Sequence, residues 1–179
     1  MKQASNWNEI EKSEVVEFNN LGAGIYHAQI KTVEDVTDKE YLKITFDFVD
    51  GDFKGEGARL EKEFGKWSNT FTIYKSYKEN ATKFFKAFIT AIEKTNKGYV
   101  WNWDEKTLVG KYFVAVMGEE EYQAEDGTVK VSVKCVEQRS FEAEKNGDIK
   151  VPELKKLKVV EQKTPEPVVA DISDDDLPF

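Results

Sequence analysis

Between residues 41 and 48 apolar and polar side chains alternate without a break. Leu42, Ile44, Phe46 and Phe48 fall on one side, and Tyr41, Lys43, Thr45 and Asp47 on the other. A period of two over eight residues predicts a half-buried β-strand. The same period predicts a first strand over Ile25–Val33, with Tyr26, Ala28 and Ile30 on one face. It also predicts a strand over Tyr112–Met117, and a last one in which Val129, Val131, Val133 and Cys135 point inward and Lys130, Ser132 and Lys134 outward. Asp126-Gly127 between the last two is a hairpin signal. Residues 53–74 contain glycines at 55, 57 and 65 and read as an irregular, bulged third strand, best defined from Trp67 to Tyr74. The period then changes. Ala81, Phe84, Phe85, Phe88 and Ile92 recur at helical spacing, and Ser76 followed by Glu79 has the spacing of a capping box. A helix over about residues 77–95 is predicted, ended by Asn96-Lys-Gly98.

Three strands, one helix and two strands is the element order of a five-stranded oligonucleotide/oligosaccharide-binding (OB) barrel, all-β with a helix between strands 3 and 4. The expected organisation is an N-terminal arm over residues 1–21, the barrel over 22–158, a disordered linker over 159–173 and an acidic tip over 174–179. The linker contains EQKTPEPVVA, with two prolines, no aromatic residue and little to bury.

Such barrels hold single strands on the outer face of strands 2 and 3, where cations track phosphates and exposed rings stack on bases. The candidates by parity and position are Tyr41, Lys43, Trp67 and Tyr74, with Arg59, Lys62, Lys66 and Lys75 nearby and Lys130 and Lys134 on strand 5. Trp67 shares parity with Phe71 and Ile73, so it reads equally as a core residue. Trp101 and Trp103, just after the helix, read as plugs for the bottom of the barrel.

Charge refines this picture. The 179-residue chain carries a net −8. From Glu161 onward six acids against one base make −5, which leaves −3 for the rest. A body that close to neutral has room for a local basic groove, because screening cuts off distant charge beyond about 10 Å. Cys135 is the only cysteine, so no internal disulfide forms. His27 is the only histidine, and no paired metal-ligand or catalytic motif appears. An enzyme, a metal site and a cofactor are therefore not expected. No run reaches the ~18 apolar residues of a membrane span, and MKQASNWNEIEKSE lacks the apolar stretch of a signal peptide. A cytoplasmic location is the expectation.

The final segment, DISDDDLPF, ends on a stiffened hydrophobic plug with a free carboxylate. Pro178 fixes its own φ and lowers the entropy lost on docking. Asp174, Asp175, Asp176, Leu177, Pro178 and Phe179 together suit an apolar pocket with a basic rim. This ending resembles the C-terminal tip of bacterial single-stranded DNA-binding (SSB) proteins, with Leu177 in place of the usual isoleucine. The body is similar to the SSB-like proteins of phages and mobile elements of Gram-positive bacteria. The stretches that carry this likeness include Tyr41-Leu-Lys-Ile44, Trp101-Asn-Trp-Asp-Glu-Lys106, Leu108-Val-Gly-Lys111, Gly118-Glu-Glu-Glu-Tyr122 and Val151-Pro-Glu-Leu-Lys-Lys-Leu157. The resemblance implies an OB fold and non-specific binding of single-stranded DNA. It also implies a tip that recruits replication, recombination and repair proteins, self-association into a dimer or tetramer, and residence in the bacterial host cytoplasm if phage-encoded. A protein-interaction adaptor with the same fold and little DNA binding is the alternative.

Overall fold

A computed structural model describes residues 20–157. The arm up to residue 19, the linker and the expected partner-binding tip Asp174–Phe179 lie outside the described residues, as does residue 158 of the expected barrel.

Five antiparallel strands form one sheet in the order β3-β2-β1-β4-β5. They are β1 (Gly24–Val36), β2 (Tyr41–Phe48), β3 (Thr72–Ser76), β4 (Tyr112–Gln123) and β5 (Val129–Arg139). Helix α1 (Glu56–Phe64) lies between β2 and β3, α2 (Thr82–Thr95) between β3 and β4, and the short α3 (Phe141–Lys145) follows β5. The sheet curls around one apolar core that includes Phe46, Phe71, Phe88, Ile92, Leu108 and Phe113. Its edge strands β3 and β5 do not pair through their backbones. They face each other across a cleft of about 520 Å3 lined by Ile73, Tyr74, Lys75, Lys134, Cys135 and Val136. No helix of the described residues is long and apolar enough to cross a membrane.

The alternation of β2 appears as predicted: Leu42, Ile44, Phe46 and Phe48 are all buried. Other expectations are corrected. Residues 56–64 are a helix and not part of a bulged strand. Gly55 and Gly65 bracket it in the left-handed region, φ 75° and 71°, where a side chain is strained. They punctuate a helix, and β3 is confined to Thr72–Ser76. The capping box does not start α2. Ser76 ends β3, its Oγ accepting from the Lys78 N–H at 3.3 Å, and a 3-10 turn at Glu79–Ala81 precedes the helix at Thr82. Strands β4 and β5 run beyond the core as a long hairpin. Val129 and Val131 were expected inward, but they are exposed because no element covers that end. Cys135, at the foot of the hairpin, is half-buried, and burial pushes its thiol up to about 11. A single parallel bridge ties Lys155 to Glu120 on the edge of β4 that β1 leaves free.

A bulge in β1 between Ile30 and Thr32 shifts the register against β2. Before it Ala28 and Ile30 face the core; after it Val33 does. Thr32, Glu34 and Val36 therefore land on the outer face opposite Thr45, Lys43 and Tyr41.

His27 fastens the two ends of the described chain. Its Nδ1 lies 2.6 Å from Asp50 and its Nε2 2.7 Å from Glu144 of α3. Burial works against the charged ring, but the hydrogen bonds to both carboxylates outweigh it and raise the pKa above 6.5. A raised pKa stabilises the fold below the unfolded value, and that contribution is lost as pH rises through the folded one. Thermal melts of the wild type are expected to fall relative to His27→Gln as pH goes from about 6 to about 8.5. A difference between the two proteins that stays constant over that window would remove the linkage.

Candidate nucleic-acid interface

The outer faces of β1, β2 and β3 form a grid whose rows are set by strand register. Thr32, Thr45 and Thr72 make one row, Glu34, Lys43 and Tyr74 the next, and Val36, Tyr41 and Ser76 the third. The first row is knit by a 2.6 Å hydrogen bond between the Thr32 and Thr45 hydroxyls. Tyr41 and Tyr74 meet edge to face at 5.6 Å across the strand pair. Such pairs hold each ring in a fixed orientation. Tyr74 remains 55% exposed, so its free face is open for stacking.

Helix α1 covers the upper end of this grid, for a reason local to Asp47. By parity Asp47 belongs outside, yet it is only 2% exposed. Its carboxylate accepts hydrogen bonds from the N–H groups of Phe48, Gly57 and Ala58 at 2.9, 2.9 and 3.0 Å. Gly57 and Ala58 belong to the first turn of α1, whose N-cap Gly55 has no side chain to offer. Asp47 thus caps a helix ten residues away in sequence and pins it to β2. Gly57 permits the close approach: a Cβ there would stand 2.8 Å from the Trp67 ring and 3.0 Å from Phe71.

Below α1 a groove of about 490 Å3 opens, lined by Lys43, Lys66, Trp67 and Tyr74 together with Glu34 and Glu61. The two readings of Trp67 both apply. It packs beside the core under Gly57, and it also forms the groove wall.

The structure therefore brings Tyr41, Lys43, Lys66, Trp67 and Tyr74 together. The other predicted cations stand apart. Arg59 lies on the exposed side of α1, held by Glu56 at 2.7 and 2.9 Å and by Glu63 at 2.7 Å. Lys62 is exposed on the same helix and does not line the groove. Lys75 has the opposite parity to Tyr74. It turns to the cleft between β3 and β5, its Nζ 5.3 Å from the Phe88 ring centroid, and burial lowers its pKa. Lys134 reaches that cleft from the far side, tied to Glu120 at 2.7 Å. Lys134 and Lys155 together hold Glu120 down to about 2. Lys130 pairs with Asp126 at 3.9 Å near the hairpin tip. Even Lys43 has Glu34 at 3.9 Å. Carboxylates thus temper most of the positive charge.

Sequence reasoning missed Glu34 and Glu61 in the groove. The break in parity between Ile30 and Val33 was the available signal for Glu34. For Trp103 the plug reading is corrected. Trp101 packs against the core as expected, whereas Trp103 projects to solvent. Among the described residues no three His, Cys, Asp or Glu side chains gather as for a metal ion. No protein-family model matches the chain, and no curated protein matches it.

Proposed function

We propose that this protein is a non-catalytic, sequence-nonspecific single-stranded DNA-binding protein built on an OB-like barrel. The observation that carries the reading is the groove beneath α1. Tyr41, Lys43 and Tyr74 share one outer sheet face, and Lys66 and Trp67, from the segment after α1, line the groove beside it. Stacking supplies affinity without regard to sequence, because every base has a π-face. The strand order with β1 central and the helix between β3 and β4 suits a barrel that closes across the β3–β5 cleft through side chains. The tip Asp174–Phe179 would recruit replication, recombination and repair proteins. Its charge keeps it off the DNA, and Leu177, Pro178 and the Phe179 ring give it an apolar anchor. Coating a strand with one barrel per chain favours self-association as a dimer or tetramer.

The ion pairs at Lys43, Arg59, Lys130 and Lys134 favour a second reading, a protein-interaction adaptor that binds DNA weakly. Titration with oligo(dT) and with duplex at several salt concentrations separates the two. Saturable binding of oligo(dT) well above duplex is expected. With two or three lysines facing phosphate, the slope of log K against log salt should be about −2 or shallower. Absence of oligo(dT) binding at low salt would leave the adaptor reading in its place.

A further inference from the structure

Trp103 is 75% exposed, and its backbone sits at φ 65°, a left-handed conformation that a bulky residue adopts only at a cost. Among the described residues no other aromatic ring is as exposed. The turn that carries it is tightly fixed. The Trp101 N–H donates to Glu93 on α2 at 2.8 Å, the Asp104 N–H to Asn102 at 3.2 Å, and the Lys106 N–H to Asp104 at 3.1 Å. One face of the indole lies nearly parallel to Phe85, centroids 6.2 Å apart at 20°, and Trp101 braces it at 6.1 Å. The result is a flat ring, rigidly backed on one side and open on the other.

Its position continues the candidate interface. The last row of the grid holds Tyr41 and Ser76. Beside it the Tyr77 N–H donates to the Glu40 carbonyl at 3.0 Å. The Tyr77 ring meets Phe85 edge-on at 6.2 Å, and Phe85 backs Trp103. Tyr77 and Trp103 thus flank the same buried Phe85 ring, which sets Trp103 beside the Ser76 end of the grid. The surroundings differ from the groove in charge. Asp35 accepts from the Tyr77 hydroxyl at 2.8 Å, and Asp104 adjoins Trp103 in the chain. Phosphates are repelled by these carboxylates, while an uncharged base face is not.

We propose that Trp103 is a second base-stacking platform, which takes a nucleobase of a strand already seated in the groove and contributes affinity without phosphate contact. The inference rests on the single-strand-binding reading. The test uses the full chain and two oligo(dT) lengths, about 5 nucleotides to fill the groove and about 15 to pass beyond it. Trp103→Ala is expected to bind the long oligonucleotide about tenfold more weakly, with the short one, the salt slope and the melting temperature unchanged. Trp103→Phe should recover most of the loss. Wild-type affinity of Trp103→Ala for the long oligonucleotide overturns the proposal. So does an equal loss for both lengths accompanied by a lower melting temperature, which would mark a structural role. If the wild type itself binds neither length, the single-strand reading fails and this platform fails with it.

Discussion

Asp47→Ala is expected to lower the melting temperature by about 6–12 °C, which corresponds to about 3 kcal/mol for a chain of this size. The carboxylate is buried, and two of its three hydrogen bonds cross to α1. Alanine would leave the Gly57 N–H without that acceptor in a covered site, and the Ala58 N–H at its margin. Unmet buried donors cost more than a hydrogen bond contributes on average, and bonds to a charged acceptor contribute the most. Asp47→Asn keeps one acceptor oxygen and should lose less. Gly57→Ala probes the same joint from the other side, because the added methyl would press on the Trp67 ring. Both lesions should release α1, visible as faster proteolysis within residues 56–64. Melting of Asp47→Ala within a degree of the wild type would show that this carboxylate does not hold the helix.

Tyr41→Ala and Tyr74→Ala are each expected to weaken oligo(dT) binding about tenfold, and the pair by more. Tyr74 is exposed, so its loss should leave thermal stability unchanged. Lys75→Ala is the matched control. It sits one residue along on the opposite face, with its amine near Phe88, so it should shift stability and leave DNA affinity nearly intact. A larger affinity loss at Lys75 than at Tyr74 would place the bound strand in the β3–β5 cleft and empty the groove model.

The core of the sheet was legible because strict alternation leaves little choice. Residues 42 to 48 could not be anything but a strand with its Leu, Ile and Phe side chains buried. Parity also sorted Tyr41, Lys43 and Tyr74 onto one face, and the register places them in adjacent rows. It misled at Asp47 and Thr45, which alternate outward yet are buried. The covering element, α1, had been read as strand. Three glycines suggested a bulge, while the better signal lay in Glu56, Arg59 and Glu63. Their three- and four-residue spacing makes ion pairs along one helix face. Parity misled again at Val129 and Val131, since alternation says which way a side chain points and not whether anything waits there. The pairing of the lysines with carboxylates was illegible for a related reason. Glu120 and Lys134 lie on different strands, and their 2.7 Å contact depends on register. Trp103 reads from sequence as a plug beside Trp101 because no periodicity encodes the left-handed backbone and the exposure it has.

The central place of β1 has a consequence for how the chain acquires its shape. The first strand of the sheet to leave the ribosome is the middle one of five, and Gly24 must wait for Met117. Closing so long a loop before any reward slows folding. Until residue 112 emerges, the nascent chain offers a β1–β2–β3 meander with two bare edges and an apolar face covered only in part by the helices. Such a species tends to find other chains first. Arrival of β4 is therefore the committing step, and chains truncated before residue 112 should be hazards rather than small domains.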